Sequence, residues 1–63
     1  MKLIRLVGEC EEGECPTLYS TDRGTLAVQG DLLADHGIRL SDGEGVVEIP
    51  ISLLRKAVAD GVI

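Results

Sequence analysis

The chain has no Trp and no Phe, and Tyr19 is its only aromatic residue. A core must therefore be assembled from Leu, Ile, Val and Ala, which bury less area per residue than rings do. Long apolar runs are missing as well: none exceeds three residues, whereas a membrane span needs about 20. No membrane association is expected. Arg5 interrupts the apolar N-terminal segment Met1 to Val7, and no apolar stretch of signal-peptide length follows it, which points to a cytoplasmic protein. Cations are also scarce. Six Lys and Arg stand against eleven Asp and Glu, giving a net charge of −5 at pH 7 and a pI near 4.5. The six are scattered over positions 2, 5, 23, 39, 55 and 56, so the clustered charge that binds phosphate is lacking and no direct nucleic-acid contact is expected.

What is present argues for a folded chain that needs support. Of the 63 residues 44% are hydrophobic and mean hydropathy is +0.20, which opposes disorder. A single domain of this length buries only about 60% of the surface its unfolded chain exposes. A metal, a disulfide or a second subunit would relieve that marginality, and a homodimer is expected.

Periodicity predicts an α+β fold: a small antiparallel β-sheet in the order β-β-β-short helix-β, followed by one C-terminal helix. Residues 2–7 read as a strand with faces Leu3/Arg5/Val7 and Lys2/Ile4/Leu6, both largely apolar, which suits a central strand or one covered by a partner. Residues 8–15 form an acidic cysteine loop. The strongest local signal spans 17–29, where Thr17–Thr21 and Thr25–Gln29 flank Asp22-Arg23-Gly24. Gly24 supplies the positive φ that a three-residue hairpin connection needs, and the Asp22 carboxylate is expected to accept a backbone hydrogen bond there. Residues 31–36 read as a short helical turn, with Asp31 as its cap and Gly37 as its stop. Strand 46–49 and a helix over 50–60 complete the single domain. Pro50 takes the first helical position, Gly61 closes the helix, and Ile51, Leu54, Ala57 and Val58 form the stripe expected to face the sheet, with Leu53 at its side.

Cys10 and Cys15 are the only cysteines, and they enclose Glu11-Glu12-Gly13-Glu14. Three readings are open. Two thiolates on a tight loop suit zinc, with His36 as a third ligand and a carboxylate or a second subunit completing the site. The spacing also allows a reversible disulfide. The reading favoured in a reducing cytoplasm is two inert thiols, since neighbouring glutamates disfavour a thiolate. Glu9, Glu11, Glu12 and Glu14 form the candidate interaction patch. His36, the sole imidazole, suits a helix C-cap. Ser20, Ser41, Ser52 and the threonines sit in no nucleophile context, and no Walker loop, dinucleotide fingerprint or zinc-protease helix occurs, so no enzymatic activity and no cofactor are expected.

The run from Cys15-Pro16-Thr17-Leu18-Tyr19-Ser20-Thr21-Asp22-Arg23-Gly24 through Thr25-Leu26-Ala27-Val28-Gln29-Gly30, with Val46-Val47-Glu48-Ile49-Pro50 and a Leu-Leu helix after it, resembles a group of small, acidic, uncharacterised actinomycete proteins often encoded beside helix-turn-helix regulators. Leu32 to Glu44 is similar in pattern to the swapped-hairpin AbrB/MazE fold, which dimerises by strand exchange. An acidic chain lacks that fold's basic DNA-facing surface, so this second resemblance implies dimerisation alone. Together these readings lead to a non-enzymatic homodimeric interaction module that modulates a bacterial transcription regulator. The alternative is a small metal-binding or redox-responsive protein using Cys10 and Cys15.

Overall fold

The computed structural model describes residues 1–11 and 13–63. Five strands and one helix follow in chain order: β1 (Leu3–Gly8), β2 (Thr17–Thr21), β3 (Leu26–Gln29), β4 (Asp31–Leu33), β5 (Val46–Glu48) and α1 (Ile51–Ala59). They make a three-stranded antiparallel sheet in the order β1-β2-β3, a separate two-stranded ribbon of β4 and β5, and a C-terminal helix. The α+β class holds. The short helical turn at 31–36 does not exist. Asp31–Leu33 is β4, paired with β5 through Leu32↔Val47 and Leu33↔Val46, because a partner strand thirteen or more positions away supplies backbone hydrogen bonds that a single turn closed by Gly37 cannot match. Gly37 does take a positive φ of 68°, in the loop after β4 rather than at a helix end.

The hairpin forms where expected. Thr17 pairs with Gln29, Leu18 with Val28 and Tyr19 with Ala27, and Gly24 has φ 74°. The turn is tied by Thr21: its Oγ1 accepts from the backbone N–H of Arg23 at 3.0 Å and of Thr25 at 3.3 Å, and lies 2.7 Å from Thr25 Oγ1. The Asp22 carboxylate instead accepts from the Lys2 N–H at 3.2 Å, fastening the start of β1 to the hairpin tip.

β1 is an edge strand, so the central placement its apolar character suggested is wrong. Its register against β2 shifts between Arg5 and Val7: Arg5 opposes Tyr19, whereas Val7 opposes Leu18. The bulge turns Val7 onto the face of Ile4 rather than that of Leu3 and Arg5, because one extra residue reverses the alternation beyond it. That face carries the core, in which Val7 and Leu18 are buried beneath Leu53 and Ala57 of α1, with Ile49 and Val62 packed around them.

Pro50 sits just before the helix, at the N-cap, with φ −64° and ψ 143°, one place earlier than expected. The C-terminus closes as a Schellman motif: Gly61 has φ 71°, its N–H donates to the Val58 carbonyl, and Val62 N–H donates to that of Ala57, each at 3.0 Å. The expected inward stripe is corrected. Leu53 and Ala57 are fully buried, while Ile51, Leu54 and Val58 are 70%, 45% and 65% exposed.

Candidate interaction site: the acidic cysteine loop

The loop between β1 and β2 begins by extending their ladder. Glu9 N–H donates to the Pro16 carbonyl at 3.0 Å, which brings Cys10 and Cys15 to a Cα separation of 5.7 Å, and the two are joined as a disulfide. Gly13, at φ 102°, turns the chain back between them. Thr17, itself buried, donates from Oγ1 to the Cys15 carbonyl at 2.7 Å.

Three side chains then clamp the loop to the body. The Arg5 guanidinium donates to the Cys10 carbonyl. Lys56 Nζ donates to the Gly8 carbonyl at 3.1 Å, and Ser52 Oγ donates to Glu9 Oε1 at 2.9 Å, so the helix grips the loop from its outer side. Between them lies an open cleft of about 180 Å³ lined by Arg5, Gly8, Glu9, Glu11, Lys56 and Asp60 among others. Its two cations are engaged with backbone carbonyls and act as fasteners. Glu11 and Glu14 are exposed, so the loop presents carboxylates on a scaffold held by one covalent bond and several hydrogen bonds. Glu12 lies outside the described residues. The glutamates and cysteines were legible from spacing alone, whereas the clamps were not, since Ser52 and Lys56 stand 43 and 48 positions away from their acceptors.

His36 does not join the cysteines. It is half-buried in the loop after β4, and its Nδ1 accepts from the Ile38 N–H at 2.9 Å, which places the proton of a neutral imidazole on Nε2. The local bond replaces the expected contact with helix carbonyls. Among the described residues no group of three or more His, Cys, Asp or Glu side chains is arranged to hold a metal ion, and none of the helices is long and apolar enough to cross a membrane. Comparison with protein-family models, with curated proteins and with solved structures finds no match.

Proposed function

We propose that this protein is a non-enzymatic, homodimeric interaction module of the bacterial cytoplasm that modulates a transcription regulator. One observation carries the reading. Among the described residues, four apolar side chains are buried while thirteen large hydrophobic ones are exposed, a surface suited to being covered by protein. The clamped acidic loop gives the partner its sign. A basic face on a helix-turn-helix regulator would be steered to Glu9, Glu11, Glu12 and Glu14, and complementary charge of this kind raises association rate and specificity more than affinity. The test is affinity capture with the purified chain followed by identification of what binds. A regulator recovered by the wild type and lost with Glu11→Lys plus Glu14→Lys supports the reading; recovery independent of those charges removes the loop from it.

The disulfide supports a second reading, a redox-responsive protein. In a reducing compartment such a bond persists only when it is transient or regulated. A dithiol reductant would transfer two electrons to the Cys10–Cys15 bond, leaving two thiols and an oxidised reductant. The pairing of both sulfurs with each other favours this redox form over the zinc form. Cys10→Ser with Cys15→Ser separates the readings: it abolishes the response of a redox protein and leaves regulator binding by an interaction module within a few-fold.

A further inference from the structure

The two halves of the disulfide differ. Cys10 is exposed and lines the open cleft of about 180 Å³ that Arg5, Glu11, Lys56 and Asp60 also border, whereas Cys15 is half-buried and does not line it. Charge divides them as well. Among the described residues the ionised side chain bonded to a cysteine is Arg5, whose guanidinium donates to the Cys10 carbonyl. Lys56 Nζ is held two residues away, on the Gly8 carbonyl at 3.1 Å. The Cys15 carbonyl accepts instead from the neutral hydroxyl of Thr17. None of these bonds uses a sulfur atom, so cutting the S–S bond removes none of them directly. Reactive cysteines are accessible thiols beside Lys or Arg, with a second thiol poised to resolve the first product. Cys10 meets the first description and Cys15 the second.

We infer that Cys10 is the sulfur through which this protein exchanges with a positively charged disulfide carrier, and that Cys15 is the resolving thiol. The inference rests on the redox reading above and gives its chemistry a site. In the reduced chain the Cys10 thiolate attacks one sulfur of the carrier. The carrier's S–S bond breaks, half of it leaves as a thiolate, and Cys10 is left in a mixed disulfide. Cys15 then attacks the Cys10 sulfur. The Cys10–Cys15 bond forms, the mixed bond breaks, and the Cys15 proton passes to the departing carrier thiol. Two electrons have moved from the cysteines to the carrier. Reduction of the bond by a thiol runs back through the same mixed disulfide at Cys10. The carrier's sign is set at longer range. Glu11 and Glu14 adjoin the two cysteines and are exposed, so they draw in a cation and repel an anion before contact.

Reaction of the reduced chain with cystamine, a cationic disulfide, tests this when samples are quenched in acid and mapped by fragmentation mass spectrometry. Wild type should pass through a cysteamine adduct on Cys10 and close to the disulfide. Cys15→Ser should accumulate that adduct. Cys10→Ser should react at Cys15 about threefold more slowly or worse, the advantage that nearby cations leave to a thiolate once its lower intrinsic nucleophilicity is counted. Arg5→Gln should bring the two rates together and Arg5→Lys keep them apart; a ratio that ignores Arg5→Gln overturns the part given to the guanidinium. Cystamine should outpace the anionic glutathione disulfide about tenfold at low salt, and less as salt rises; equal rates overturn the carrier's charge. Adducts on Cys15 at an equal or higher rate overturn the assignment of Cys10 and leave the redox reading standing. If the oxidised chain resists dithiothreitol and the reduced chain resists cystamine, the redox reading falls too. Should a serine variant not fold, reduced wild type with limiting iodoacetamide decides. Label on Cys10 in preference to Cys15 supports the assignment, and equal label overturns it.

Discussion

The sheet-and-helix body and the β4–β5 ribbon are built from similar residues and end up differently. Leu, Val and Ile dominate both, yet every buried apolar side chain belongs to the body, and Leu32 of the ribbon is 75% exposed. Coverage makes the difference. The body has α1 laid over one face, whereas the ribbon pairs Leu32 with Val47 and has no element above them that buries either. It joins the core only through Ile49, and Gly30 lets it approach, since a Cβ there would run into the Glu48 carbonyl and the Ile49 side chain. The ribbon also sets Asp31 directly opposite Glu48, a like-charge pair that works against strand pairing. Apolar content thus fixes what can be buried, and a covering element fixes what is.

Substitutions can break that contrast in order of size. Leu53→Ala should destabilise the fold by about 2–5 kcal/mol, the range for truncating a buried leucine, while Leu32→Ala in the ribbon should stay within about 0.5 kcal/mol. Equal shifts in denaturant midpoint would mean that the ribbon is as well covered as the body. Replacing Cys10 and Cys15 together by Ser should lower stability by about 2 kcal/mol, from the chain entropy regained by so short a loop, measured by thermal unfolding against the oxidised wild type. Gly24→Val should cost about 1–2 kcal/mol because φ there is 74°, a region that side chains other than Gly, Asn and Asp enter with strain. No neighbouring atom obstructs a Cβ at this site, so Gly24→Asn should restore most of the loss; if it does not, strain is not the cause. Smallest is a gain. Glu48→Lys replaces the repulsion with Asp31 by attraction and should add about 0.2–1 kcal/mol, a gain that salt diminishes.

Short-range chemistry in this chain was readable from sequence and long-range placement was not. Asp22-Arg23-Gly24 between Thr-bearing segments is a hairpin in both sequence and structure, and Gly61 ends the helix as its position suggested. In contrast, 31–36 has the caps of a helical turn at Asp31 and Gly37, and only the distant partner Val46–Glu48 makes it a strand. The bulge in β1 has no local marker, although it decides that Val7 is a core residue. Ala57 of the expected inward stripe of α1 is buried, but the face was centred on the wrong side, because Ile51, Leu54 and Val58 outweigh the flanking Leu53 in apolar bulk. In the structure Leu53 and Ala57 fill the core while Ser52 and Lys56 on the adjoining flank bond to the cysteine loop. For the candidate site, the spacing of Cys10 and Cys15 allowed disulfide and zinc but favoured free thiols, and closure of the β1–β2 ladder by Glu9 and Pro16 brings the two sulfurs together.

The bonds from Ser52 to Glu9 and from Lys56 to Gly8, which span 43 and 48 positions, have a consequence for biosynthesis. A nascent chain presents β1 first and α1 last. The hairpin, whose paired residues lie no more than twelve positions apart, can close as soon as it leaves the ribosome, and β1 can add to it. Val7 and Leu18 nevertheless have no lid until Leu53 and Ala57 emerge, about 1–6 s after the hairpin is complete at common translation rates of about 5–20 residues/s. During that interval an apolar edge strand and an open sheet face are both available to other chains. The helix therefore acts as a timed closure, and chains stalled shortly before residue 53 should be the species that aggregate.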